Sequence, residues 1–172
     1  EILACDLYPA KCDTMEKRAA ALGITCLRTA ARDASKPCPA PLRGRFDRVV
    51  CDVPCSGLGA IRRKPEIRYK DLSAFEDLPE LQYRILVEAA ALTRPGGVLQ
   101  YSTCTLNPAE NEQVAERFLR ENPAFSPRTL PLADCFAAVD KPMGHTLTLF
   151  PHMHHTDGFF LAAFVRSEDP SL

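Results

Sequence analysis

The run Phe46-Asp47-Arg48-Val49-Val50-Cys51-Asp52, continued by Val53-Pro54-Cys55-Ser56-Gly57-Leu58-Gly59, decides how this chain folds. Its first half is apolar and β-branched and ends on an acid; its second half carries proline and glycine. A buried strand that runs straight into a loop has this pattern. Upstream, Glu1 to Asp6 reads as another short strand ending on an acid, followed by Pro9 and a helical spacing of Met15, Ala19 and Leu22 closed by Gly23. Ile24 to Thr29 reads as a second strand, with Asp33 just beyond it, and Pro37 to Pro41 make a loop.

Downstream, residues 54 to 70 form a long basic loop. Leu78, Leu81, Ile85, Leu86, Ala89 and Leu92 then recur at helical spacing until Pro95-Gly96-Gly97. Val98 to Ser102 is a strand, and Asn107-Pro108-Ala109-Glu110 supplies an N-cap, a proline at the first helical position and a capping-box carboxylate. A helix is therefore expected from Asn107 to about Asn122. The apolar runs Leu147 to Phe150 and Phe159 to Val165 suit a closing antiparallel hairpin. Strands alternating with helices predict one α/β domain over residues 1–172, with a mostly parallel sheet covered on both faces. Such sheets bind ligands at the carboxyl ends of their strands, where Asp6, Asp33, Asp52 and Cys104 fall.

At 172 residues and 46% hydrophobic content the chain can bury a continuous core. No apolar run reaches the roughly 18 residues that span a bilayer, and the first residues lack a signal-peptide pattern. The expectation is a cytoplasmic protein. Eight cysteines without regular spacing or a C-x-x-C pair read as reduced thiols, not as a disulfide set or a zinc site. His152, His154 and His155 have no carboxylate or cysteine at ligand spacing and fall in an expected exposed turn, so no metal is expected. The net charge of −1 gives no global nucleic-acid signature. Arg62, Arg63, Lys64, Arg68 and Lys70, however, cluster in the basic loop and could meet phosphates.

The strings around Cys55 and Tyr101-Ser102-Thr103-Cys104-Thr105 each put a thiol directly after a strand. Carbon 5 of cytosine is too poor a nucleophile to accept a methyl group unaided. A thiolate must first add to carbon 6, and a base must later remove the proton on carbon 5 so that the thiol can leave. Two thiols in one cleft fit that sequence of events, although spacing alone leaves open which one attacks. The helix start expected at Asn107 offers Cys104 a nearby positive dipole end. Cys5, Cys12, Cys26, Cys38, Cys51 and Cys135 have no motif context.

Three strings carry a resemblance to a known family: Asp52-Val53-Pro54-Cys55-Ser56-Gly57 with Ile61-Arg62-Arg63-Lys64-Pro65-Glu66; Ser102-Thr103-Cys104 with Asn107-Pro108-Ala109-Glu110-Asn111-Glu112; and Thr156-Asp157-Gly158-Phe159-Phe160. Together they resemble the Sun-type RNA cytosine-5 methyltransferases that act on bacterial small-subunit ribosomal RNA. The resemblance implies a Rossmann-like class I methyltransferase fold that uses S-adenosyl-L-methionine as cofactor and RNA, 16S ribosomal RNA above all, as substrate.

It implies Cys104 for attack and Cys55 for product release. Asp6 would bind the cofactor's ribose hydroxyls, Asp33 would flank the adenine, and Asp52 would stand between cofactor and base. Arg62, Arg63 and Lys64 would contact RNA. It further implies that the family's first strand and Gly-rich cofactor loop precede residue 1, so that this stretch by itself is inactive or weak. Two rival readings remain: an amino-group methyltransferase with no covalent intermediate, and a non-catalytic RNA-binding or assembly module with the same fold.

Overall fold

The computed structural model describes residues 1–130 and 144–169, which fall into two compact units, residues 1–37 and the remainder from Cys38 onward. Cys135 lies outside the described residues.

The first unit is strand β1 (Ile2–Asp6), helix α1 (Pro9–Ala21) and strand β2 (Leu27–Ala31). Proline sits in the first turn of α1, where its missing N–H costs nothing. The helix stops at Gly23, whose φ of 69° lets the N–H of Ile24 reach back to the carbonyl of Ala19 at 2.8 Å. That closing turn uses up Ile24, so the second strand begins at Leu27, later than the expected Ile24. The two strands pair in parallel from Ile2 opposite Leu27 to Asp6 opposite Ala31. Asp6 and Asp33 therefore share one edge of this unit.

The second unit begins with β3 (Phe46–Asp52), α2 (Leu78–Leu92), β4 (Thr93–Thr103) and α3 (Glu112–Glu121). It continues with β5 (Phe125–Pro127), β6 (Thr146–Leu149), a short α4 (Pro151–His154) and β7 (Phe159–Arg166). Strands β3 and β4 are parallel and end together, Asp52 opposite Ser102. The Pro95-Gly96-Gly97 segment is taken up as an irregularity in this pairing, between Phe46 opposite Thr93 and Arg48 opposite Val98, with Gly96 at a φ of 70°. Strand β7 runs antiparallel to β4 on one side and to β5 and β6 on the other. The sheet is thus mixed, and the expected closing hairpin is β6 with β7.

Along β7 the side chains alternate between two clusters, as the two-residue period of a strand requires. Phe160, Ala162 and Phe164 face the main core, where Leu86 of α2, Leu99 and Tyr101 of β4, and Phe118 of α3 are fully buried. Ala163, with Phe159 and Leu161, packs on Leu130, Leu147 and Leu149. Phe118 meets Phe125 and Phe164 at ring-centre distances of 5.2 and 4.9 Å. Among the described residues no helix is long and apolar enough to cross a membrane.

The helix expected from Asn107 begins only at Glu112. Residues 107–111 form a separate turn in which the Asn107 side chain accepts from the N–H of Ala109. The backbone at Asn111, with ψ of −98°, breaks continuity with the helix. The physical reason is competition: the Glu110 side chain bonds Ser56 and Gln82 and the Asn111 side chain bonds Thr103 and Thr105, and the turn is shaped to let them. The dipole end expected beside Cys104 is consequently displaced to Glu112.

Candidate active site

The register of β3 and β4 sends two loops off the same sheet edge, and the loops carry the two motif cysteines. Their sulfur atoms lie 3.2 Å apart. Each thiol stands beside buried chain: buried Ser56 follows Cys55, and the fully buried Thr103 and Thr105 flank the exposed Cys104. Burial, followed by the neighbouring Cys104 thiol, pushes the Cys55 thiol up to about 12. Cys55 is therefore protonated at neutral pH and can donate its S–H toward Cys104 Sγ.

The loops are locked by backbone as well. Gly59 donates its N–H to the carbonyl of Cys104 at 3.0 Å and accepts from the N–H of Gly158 at 2.9 Å. The three motif strings meet at this point. A methyl group at Gly59 would run into the Gly158 carbonyl and come within 2.8 Å of the Cys104 carbonyl oxygen, so only glycine fits. Gly57, at a φ of 75°, makes the turn that leads into this approach.

Asp52 is exposed at the end of β3 and accepts from the Ser102 hydroxyl at 2.9 Å. In the first unit, Asp6 accepts from the N–H of Tyr8 at 2.9 Å and pairs with Lys11 at 3.4 Å. The Tyr8 N–H, helped by Lys11, holds the Asp6 carboxyl below its ordinary range. Asp33 accepts from the N–H and hydroxyl of Ser35 at 2.9 and 2.6 Å.

Arg62, Arg63 and Lys64 are exposed. Arg63 is held in an ion pair by Asp157, and with Arg62, His155 and Thr156 they line a cleft of about 400 Å³. The Phe150 N–H donates to His154 Nδ1 at 2.9 Å, closing the short helix α4. No group of three metal-ligating side chains occurs among the described residues, and the seven cysteines among them are free.

The model of the family described as "16S rRNA methyltransferase RsmB/F" matches residues 1–165. The chain belongs to the RsmB/F family. It is 37% identical over 165 residues to the "Probable ribosomal RNA small subunit methyltransferase B" of Bacillus subtilis, covering 94% of this chain and 37% of that protein. It is also 37% identical over 129 residues to the tRNA (cytosine(34)-C(5))-methyltransferase of Drosophila melanogaster, covering 70% and 17%. The crystal structure of NSun6 from Pyrococcus horikoshii with SFG superposes with a TM-score of 0.80 at 29% identity, over 98% of this chain and 42% of that one. The chain spans about a third of the length of the curated RsmB and methyltransferase relatives it matches. The fold is the Rossmann-like one of class I S-adenosylmethionine-dependent methyltransferases.

In this RsmB/F chain the site contains residues that sequence reasoning passed over. Glu110, read as a helix cap, is fully buried; its carboxylate accepts from the N–H and hydroxyl of Ser56 at 2.9 and 2.6 Å, and from Gln82 and Asn107 at 2.9 and 3.0 Å. Gln82, which the sequence reading did not single out, is fully buried too. A glutamine flanked by apolar positions on a core-facing helix was the available signal for it. Glu110 carried no such signal.

Proposed function

We propose that this chain is the catalytic part of a cytoplasmic S-adenosylmethionine-dependent enzyme that methylates carbon 5 of a cytosine in RNA, with small-subunit ribosomal RNA as substrate. The observation that carries the reading is the 3.2 Å approach of Cys55 and Cys104 at the mouth of two strand-end loops. A non-catalytic module has no need of two thiols in contact, and an amino-group methyltransferase has no need of a thiol at all. The name of the Drosophila relative, a cytosine-C(5) methyltransferase of tRNA, favours the same reaction.

In this reading Cys104 adds as thiolate to carbon 6 of the cytosine, and the electron pair moves onto carbon 5. Bound S-adenosylmethionine supplies the electrophilic methyl group. Asp6 would hold its ribose hydroxyls, Asp33 would flank its adenine, and Asp52 would stand between it and the base. A base takes the proton from carbon 5, the electron pair returns to the ring and expels the Cys104 sulfur as a thiolate, and Cys55 would assist by donating its S–H to that departing sulfur. Burial raises the Cys55 thiol and favours its protonated form, which supports giving it the release step and not the attack. Arg62 and Lys64 would contact RNA phosphates, while Arg63 would first have to leave Asp157.

The test is denaturing gel analysis of the full-length protein with S-adenosylmethionine and small-subunit ribosomal RNA. Cys55→Ala should accumulate a covalent protein–RNA adduct, and Cys55→Ala combined with Cys104→Ala should not. Bound RNA that stays both unmodified and unlinked would sink the reading, and methylation on nitrogen in the hydrolysed nucleosides would favour the amino-group alternative.

A further inference from the structure

Each thiol loop is gripped on both sides of its cysteine, the Cys55 loop by Gln82 and Glu110 and the Cys104 loop by Asn111. Around Cys55, Gln82 donates to the carbonyl of Pro54 at 2.9 Å, and Glu110 accepts from the N–H and hydroxyl of Ser56. Around Cys104, Asn111 accepts from the Thr103 hydroxyl at 2.6 Å and donates to the carbonyl of Thr105 at 3.0 Å. The grips are joined where the Ser56 and Thr105 hydroxyls meet at 2.7 Å. Since the Ser56 hydroxyl donates to Glu110, it accepts from Thr105, and the N–H of Asn107 donates to Thr105 Oγ1 at 3.2 Å. Every proton in this chain has one direction. Both Glu110 oxygens accept two donors each, an arrangement that only a carboxylate can satisfy. Glu110, Gln82, Asn111, Thr103 and Thr105 are all buried, so the bonds do not compete with water.

We infer that Glu110 and Asn111 are positioning residues that set the distance between the two thiols, Glu110 by fixing the Cys55 loop and Asn111 by fixing the Cys104 loop. The inference deepens the function proposed above and rests on its assignment of the two cysteines. Because the residues are adjacent, one short turn governs both halves of the site. It also accounts for the delayed start of α3: a regular helix from Asn107 would have turned these side chains away from the loops.

The experiment compares the full-length protein with Glu110→Gln, Ser56→Ala, Asn111→Ala and Thr103→Val, with Cys55→Ala as a control. The first readout needs no RNA: the rate at which diamide, a two-electron thiol oxidant, joins Cys55 to Cys104. Two S–H bonds are lost, one S–S bond forms, and diamide takes up both protons and both electrons as its hydrazine. Melting temperature is recorded alongside. Glu110→Gln keeps the shape but turns an acceptor into an NH₂ group facing donors. Disulfide closure should slow about tenfold in every folded clamp variant, because the sulfurs lose their fixed approach.

The second readout is the covalent RNA adduct. Glu110→Gln and Ser56→Ala should accumulate it as Cys55→Ala does, whereas Asn111→Ala and Thr103→Val, each combined with Cys55→Ala, should form it about tenfold more slowly than Cys55→Ala alone, with the KM for RNA unchanged. A general loss of stability would not divide the variants in this way. If Glu110→Gln or Asn111→Ala does not fold, Ser56→Ala and Thr103→Val remove only the hydroxyl bonds of the same grips, to Glu110 and Thr105 in one case and to Asn111 and the Thr105 N–H in the other. Folded variants that close the disulfide at the wild-type rate overturn the inference. Failure of Cys55→Ala to give an adduct would instead overturn the catalytic reading, and the disulfide rates would still decide the clamp.

Discussion

Asp6 ends strand β1 and Glu110 follows strand β4, and the two acids are built on opposite terms. Glu110 is fully buried and its four acceptor positions are taken by protein donors. Asp6, in the other unit, is partly exposed and holds one backbone N–H and one lysine. An acid with every lone pair spoken for can hold protein in place but cannot receive a ligand, whereas one with lone pairs to spare can receive a ligand at little structural cost. Mutations around the thiols should therefore damage the fold and the chemistry together, and, on the function proposed above, mutations at the Asp6 edge should damage cofactor binding alone.

The sharpest way to break this contrast is Gly59→Ala, whose added carbon collides with the Gly158 and Cys104 carbonyls. It should cost about 3 kcal/mol of stability, read from the urea midpoint, and abolish adduct formation. A variant of wild-type stability would show the thiol loops to be looser than described. Next in size is Gln82→Leu, which strips a donor from the Pro54 carbonyl and from Glu110 inside the core. About 2 kcal/mol is expected from the same measurement.

Asp6→Asn should leave the melting temperature unchanged while weakening S-adenosylmethionine binding to the full-length protein about tenfold by calorimetry. A fall in stability with binding intact would erase the distinction between the two acids. The smallest expected effect lies in pH. The Cys55 thiol titrates at about 12 in the fold against 9.0 for an unperturbed cysteine. Its contribution to stability is thus complete below about pH 9 and is lost as the pH rises toward 12. Replacing Cys55 by alanine should flatten that part of the alkaline denaturation curve, and an unchanged curve would mean that the thiol is not held protonated by its surroundings.

The sequence made some of this legible and hid the rest for identifiable reasons. Strand β3 and helix α2 were readable because their patterns are local: a β-branched run in one case, apolar residues at helical spacing in the other. The two thiols were readable as candidates because short strings mark them at strand ends. The clamp was not. Asn107-Pro108-Ala109-Glu110 satisfies every local rule for starting a helix, and local rules cannot register that Glu110 finds Ser56 and Gln82 across 54 and 28 residues of chain. Arg63 shows the same limit: its basic neighbours suggest a phosphate contact, while its ion-pair partner Asp157 lies 94 residues away.

Strand β7 has a consequence for the order in which the molecule can be made. Among the described residues, β5 and β6 pair with no strand but β7, and β7 also covers the free edge of β4. A ribosome delivers these segments from the amino end, so β5 and β6 have no partner, and β4 has only β3, until residues 159–166 emerge. Until then the edge of β4 and the hollow awaiting Phe160 and Phe164 are open to other chains. Completion of the sheet is therefore a late event in the nascent chain, and a holdase that shields β-edges would have its work to do in that interval.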